Sequence, residues 1–474
     1  MLRPFKLSPM VLLSAVVILA TGELLTGTSL YFATIMALTM LCIGITYNIL
    51  GGISSIGGIG LTALALRTIV ISQIGKIVFS EPADQNIEVP QLTITIYLLF
   101  YLSLMIGAFV FGRIRLKLPR AMEPVTAAQT NKMYFISLVL GTLVYLINST
   151  SAGGQAAGRV FVLGFGAMLL FSVVLGVGSR IRSTDGLHSF GIKAFIPWLL
   201  ITIYGLLGTT RAGVVLPTLT YALTCYVNGF RFSRKHYFAA VLGIVTWFAV
   251  VSPFEMYMRQ FRENLSWKEN IGMFFHQLTT LPDWSVVEGA SQSAQDAGGG
   301  GYSYFNRPGT FVLSRLSLIR TDSHLIYACS GGYHYGFVAL KNDLLLLIPN
   351  FIYKDKPTVR SGGFIGHVSG MTSDEMDNNH TTTTAIADSF GAFGWLGVVL
   401  AGFLAFPIAI VVYESMFDIQ RPWGILALGV FCTGLPESDL GSLAELTIRM
   451  STLLFLLSLL LGTIVRAIPS KGDR

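Results

Sequence analysis

Stretches of about twenty apolar residues, separated by short polar connections, recur along almost the whole chain; each is long enough to cross a hydrocarbon core of about 30 Å as a helix. The pattern predicts twelve such spans, at roughly 8–24, 29–50, 55–79, 91–112, 132–148, 159–178, 191–208, 212–229, 237–253, 385–412, 423–436 and 446–465. One interval breaks the rhythm. Residues 254–384 hold most of the polar sequence and are far longer than a connection requires. The expected organisation is therefore spans one to nine in 1–253, a large loop in 254–384, and spans ten to twelve in 385–474.

Composition supports a polytopic all-α membrane protein. Of 474 residues, 53% are hydrophobic and 12% are charged, about half the charged share of a soluble domain. The net charge of +7 does not point to nucleic acid, because the basic residues gather in short loops between apolar runs. With the N-terminus inside, Arg113, Arg115, Lys117 and Arg120, then Arg180 and Arg182, then Arg231, Arg234 and Lys235, then Arg421, and finally Arg466, Lys471 and Arg474 all fall on the cytoplasmic side, as the positive-inside rule requires. Both termini are then cytoplasmic, and the acidic segment 81–88 and the 254–384 loop are outside. The first residues have the layout of a signal peptide, but the alternation of sides works only if they remain as span one. The four cysteines show no metal or disulfide spacing.

Within the large loop, 289–303 reads as a flexible Gly/Ser-rich insert, and 266–281, 311–328 and 335–352 read as helices, the first lying along the membrane surface. His276, His324, His334, His367 and His380 all fall in this loop, partly because polar residues gather where water is.

Several residues are candidates for chemistry. Arg211, in GTTRAGVVLP, stands at the outer start of a span, where a guanidinium either snorkels to the headgroups or makes bidentate contact with phosphate; the Ala-Gly after it allows close helix packing. Arg315, Arg320 and Arg360 are further candidates for contact with a ligand, or else solvated loop charges. His380 opens the HTTTT run before span ten. Its neighbours Thr381 and Thr382 offer hydroxyls to a sugar, and the run as a whole can cap the helix. Asp388 follows inside the span, where a carboxylate is costly unless paired and is a functional candidate by default. His380 and Asp388 are the candidate catalytic residues; His380 as a simple helix cap is the plain alternative. Metal-ligand spacing such as HExxH or DxD is absent, as are nucleotide-binding glycine loops, so neither cofactor nor metal is expected.

LIPNFIYKDKP, the glycine-rich turn after it and NNHTTTTAIADSFGAFGWLG together resemble the corresponding segment of Wzy-type O-antigen and oligosaccharide repeat-unit polymerases. GTTRAG is similar to the Ser-Arg-Gly element that these enzymes share with O-antigen ligases. Asn350 stands where the family often has arginine. The resemblance covers about 200 residues, 205–405. It implies a GT-C-like fold in the bacterial inner membrane and transfer of a growing glycan from undecaprenyl diphosphate to an incoming lipid-linked repeat unit at the periplasmic face. It also implies undecaprenyl-diphosphate-linked glycans and membrane lipids as partners, with a flippase and a chain-length regulator as possible associates. Two alternatives stay open: a ligase that delivers the chain to lipid A-core, and a polysaccharide or lipid transporter.

Overall fold

The computed structural model describes residues 6–112, 114–124, 126–150, 157–207, 211–247, 304–306, 310–348, 361–370 and 383–468, with Val251, Glu269, Gly272, Met273, His276 and Tyr353. All regular structure among them is helical. In chain order the helices are α1 Pro9–Leu25, α2 Leu30–Ile49, α3 Ile56–Phe79, α4 Pro90–Phe111, α5 Ala127–Thr150, α6 Ala157–Ser183, α7 Ile192–Leu207, α8 Arg211–Val227 and α9 Arg234–Thr246. The segment between α9 and the C-terminal helices contributes α10 Phe311–Leu316, α11 Ile319–Cys329, α12 Val338–Leu347 and α13 Ser361–Val368. The C-terminal part holds α14 Ala385–Met416, α15 Pro422–Gly434 and α16 Leu440–Ala467. By length and composition, α2, α3, α4, α14, α16 and the Gly166–Ser183 part of α6 could cross a membrane; α1, Ile192–Gly205 and Val215–Val227 are shorter apolar helices.

Local chemistry marks the helix starts. Ser8 caps α1 by accepting from Val11 N, with Pro9 at the first helical position, and Ser55 caps α3 by accepting from Gly58 N. Helix α4 forms the centre. Ile94, Tyr97, Phe100, Tyr101 and Leu104 are all buried, and α4 crosses α14 closely enough that a Cβ on Gly107 would lie 2.5 Å from Phe403 O, and one on Gly402 2.5 Å from Phe100 O. Glycine on both partners lets the backbones meet, the usual device where lipid supplies no hydrophobic drive between helices.

The segment between α9 and α14 is pinned to this bundle at successive points. Tyr304–Asn306 docks on the α3–α4 turn: Tyr304 OH donates to Ala83 O (2.6 Å), and Asn306 N donates to the Glu81 carboxylate (3.0 Å). Glu81 in turn pairs with Lys76 (2.9 Å), whose side chain is fully buried in α3 and lies 4.5 Å from the Tyr304 ring centre. Further along, α3 contains a π-helical turn at Leu66–Val70, and Arg67 O accepts from Leu318 N (3.0 Å) while Ser72 and Ser317 share a hydroxyl hydrogen bond (2.6 Å).

That contact corrects one expectation. The pattern over 311–328 predicts one helix, but Ser317 is extended (φ −88°, ψ 114°) and separates α10 from α11, because the Leu318 N–H is bonded to α3. Two other bounds shift. Helix α12 covers only Val338–Leu347 of the expected 335–352, since Tyr335 and Gly336 are bonded to α14. The last helix begins at Leu440 rather than near 446, because Asp439 caps it through Ser442 N (2.6 Å). The expected surface helix 266–281 and the insert 289–303 lie largely or wholly outside the described residues.

Removing one partner of a buried ion pair strands the other charge, at a cost of about 3–5 kcal/mol. Lys76→Met should therefore lower stability by about that amount in denaturant titrations of the detergent-solubilised protein. The double change Lys76→Met with Glu81→Leu should recover much of it. Equal stability of Lys76→Met and wild type would show that the Lys76–Glu81 pair does not hold the Tyr304–Asn306 docking in place.

Candidate functional site

The site is built where α14 begins. Thr384, last of the HTTTT run, is its N-cap: the side-chain oxygen accepts from Ile386 N (3.2 Å) and Ala387 N (3.4 Å). Asp322 on α11 holds the cap itself. Its Oδ1 accepts from Thr384 N (2.9 Å) and its Oδ2 from Thr384 Oγ1 (2.6 Å) and from Tyr97 OH of α4 (2.6 Å). The adjacent Ser323 Oγ accepts from Glu88 N (3.0 Å), just ahead of the start of α4. One turn of α11 therefore joins the heads of α4 and α14.

Asp388 lies one turn into α14 and is 2% exposed. Tyr335 OH donates to its Oδ1 (2.5 Å) and Leu440 N to its Oδ2 (2.7 Å). Both oxygens are engaged, so the cost of an unpaired buried carboxylate does not arise. Asp388 thereby ties α14 to the start of α16 and to Tyr335, ahead of α12. Beside it, Ser361 at the head of α13 donates its hydroxyl to Asp439 Oδ2 (2.5 Å) and its N–H to Asp343 Oδ1 (3.3 Å). Asp343 packs so close to α16 that a Cβ on Gly441 would meet its Oδ2 at 1.9 Å.

Helix α14 breaks soon after. Phe393 (φ −135°) and Gly394 (φ 61°, ψ −146°) are not helical, and the carbonyls of Gly391 and Ala392 accept instead from Tyr335 N (3.1 Å) and Gly336 N (3.0 Å). A break in an apolar helix is tolerated where other backbone takes up the freed groups. The FGAFG sequence has a physical reading here: a Cβ on Gly391 would lie 2.6 Å from the Tyr335 ring, and Gly394 supplies the positive φ against the His334 ring.

Burial pushes the Asp322 carboxyl up to about 6, with the hydrogen bonds from Thr384 and Tyr97 opposing that rise. Burial, then the charge of Asp439, brings Asp343 to about 6 as well. His324, one turn beyond Arg320, has its pKa lowered by burial and by the Arg320 charge, against the pull of Glu88 at 3.5 Å.

Among the sequence-predicted residues, Asp388 is brought into this network, and Arg320 stands half-buried on α11, on the same turn as Asp322. Arg315 lies in the separate helix α10, and Arg211 is the first residue of α8. The close packing expected around Arg211 is present, since a Cβ on Gly205 would come within 2.7 Å of the Gly213 backbone. His380, Thr381, Thr382 and Arg360 lie outside the described residues. Among the described residues no group of three or more His, Cys, Asp or Glu side chains is arranged to hold a metal ion. Sequence reasoning missed Asp322, Tyr97, Tyr335 and Asp343. Asp439 alone had a local signal, as an N-cap type before an apolar run.

Between pH 3.8 and about 6, folded Asp322 and Asp343 keep protons that the unfolded chain has released. These groups therefore contribute most stability below pH 3.8 and lose it as pH rises toward 6. Thermal unfolding midpoints measured across that window should fall less steeply for Asp343→Asn than for wild type. At pH 7, Asp322→Asn should destabilise by about 1–3 kcal/mol, because an amide nitrogen cannot accept the bonds from Thr384 and Tyr97. A wild-type profile with no downward component, or unchanged slopes in Asp343→Asn, would contradict this assignment.

Comparison of the chain with models of protein families, with curated proteins and with solved structures finds no match, so the function is read from the residues and their arrangement.

Proposed function

We propose that this chain is a membrane-embedded glycosyltransferase that polymerises lipid-linked oligosaccharide repeat units at the periplasmic face of the bacterial inner membrane. In this reading all twelve apolar runs cross the membrane, both termini are cytoplasmic, and 254–384 is the periplasmic segment. The observation that carries it is the pinned entry to α14. Asp322 fixes Thr384, the last residue of the HTTTT run that His380 opens in the sequence, and Arg320 lies on the same turn of α11 as Asp322. This stretch also contributes to the resemblance to repeat-unit polymerases.

The chemistry follows from the residue types. A hydroxyl of the incoming unit attacks the anomeric carbon of the growing chain, forming the glycosidic C–O bond as the bond to the diphosphate oxygen breaks. The hydroxyl proton passes to His380, whose ordinary pKa near 6.5 suits that role at neutral pH. Undecaprenyl diphosphate departs, its growing negative charge met by Arg211, Arg320 and the other outer arginines, Arg315 and Arg360. Asp388, with both oxygens occupied, serves as a positioning residue for α14. A ligase would share this machinery and differ only in its acceptor.

The break in α14 is the one feature that favours a transporter, where discontinuous helices form the substrate site. Its freed carbonyls are bonded to Tyr335 N and Gly336 N, so the break docks the outer segment instead of presenting open acceptors to a cargo.

A strain lacking the chain should accumulate single lipid-linked repeat units. Complementation with His380→Ala should restore about 10²–10⁴-fold less polymerisation than wild type at equal protein level. Arg211→Lys, which keeps the charge but loses the planar fork, should also fall short. Long polymer left on the carrier in the deletion strain would indicate the ligase, and wild-type polymer from both variants would refute these roles.

A further inference from the structure

At the end of the bundle opposite the Asp388 network lies an open cavity of about 980 Å³. Helix α15 connects the two ends: it starts at the cavity with Pro422 and leads through Leu435–Glu437 to Leu440, whose N–H binds Asp388. The cavity lies between the start of α5, the end of α6, the start of α7 and the start of α15. Its lining carries Arg180, Arg182, Lys193 and Arg421, and no carboxylate.

These charges are not neutralised from within. Arg182 donates to the neutral amide of Asn228 (3.2 Å), and Lys193 to that of Asn131 (2.9 Å). Arg421 makes a long contact to Asp418 (3.9 Å), with both side chains about half exposed, and lies within electrostatic reach of Glu123. Among the described residues Arg180 has no ionic partner. Glu123, on the neighbouring connection, accepts from Trp423 N (3.4 Å), and burial pushes its carboxyl up to about 8, so it offers the nearby Arg421 little charge at neutral pH. Three helices of at least thirteen residues begin at the cavity, at Ala127, Ile192 and Pro422, and add the positive ends of their dipoles. The hydroxyl of Thr130 and the amide of Asn131 complete the lining with neutral polar groups.

We propose that this cavity binds a phosphate group, presented by an anionic phospholipid of the adjacent leaflet. Four cations over three helix starts, with no acid among them, suit one phosphate held by several charge-assisted hydrogen bonds. A basic pocket between helices at the membrane edge is where an anionic headgroup can seat while its acyl chains stay in the bilayer. By the loop-charge rule this is the cytoplasmic face. The assignment does not rest on the transferase reading, because it concerns the other end of the bundle.

The test is thermal unfolding of the purified full-length chain in neutral detergent, titrated in parallel with phosphatidylglycerol, phosphatidylcholine and inorganic phosphate. Phosphatidylglycerol should raise the midpoint saturably and phosphatidylcholine should not. The double variant Arg180→Ala with Arg421→Ala should need about tenfold more phosphatidylglycerol for the same shift. Arg180→Lys with Arg421→Lys should retain much of the effect, and Lys117→Ala, a cation outside the cavity, should match wild type. A saturable shift with inorganic phosphate alone would keep the site and assign it to a free anion. Equal shifts with both lipids, no saturable shift with any ligand, or an unchanged response in the double alanine variant would overturn the proposal.

Discussion

The Asp322 carboxylate is the interaction on which the junction of α4, α11 and α14 depends. Helix starts leave backbone N–H groups unsatisfied, and an apolar bundle offers little to bond them. Asp322 takes the N–H and hydroxyl of Thr384, and Thr384 in turn caps α14. The same carboxylate accepts from Tyr97 in the centre of α4. A polar segment is thereby attached to two apolar helices by one fully buried group. Its hydrogen bonds oppose, without cancelling, the desolvation that raises its pKa to about 6.

Close backbone approach is the second requirement, and it accounts for glycines that look unremarkable in an apolar run. Gly107 and Gly402 let α4 and α14 touch, Gly391 makes room for Tyr335, and Gly441 for Asp343. Where α14 opens at Phe393–Gly394, the backbone of Tyr335 and Gly336 replaces its lost helical bonds. Capping, crossing and breaking thus converge on the same few turns around Thr384 and Asp388.

Helix positions were legible in the sequence because length and apolar content are local properties. Among the described residues each predicted apolar run coincides at least in part with a helix, six of them long and apolar enough to cross a membrane, and Thr384 bears out the expectation that the threonine run caps one. What escaped prediction depends on partners distant in the chain. The break between α10 and α11 follows from a carbonyl on Arg67 and a hydroxyl on Ser72, neither visible from the pattern over 311–328. Asp388 was recognisable as a carboxylate needing partners, but Tyr335 and Leu440 reach it from elements whose own sequences show nothing unusual. The early start of α16 was readable in principle, since Asp439 precedes an apolar run in the manner of an N-cap.

The central claim is that this bundle alone catalyses transfer between two lipid-linked glycans. The most direct measurement is reconstitution of the purified chain in liposomes with one synthetic undecaprenyl-diphosphate-linked repeat unit, followed by mass spectrometry of the lipid products. The account predicts lipid-linked dimers and longer species, with one undecaprenyl diphosphate released for each glycosidic bond formed. Unchanged single repeat units under conditions where the protein remains folded, or their movement across the bilayer without bond formation, would contradict it.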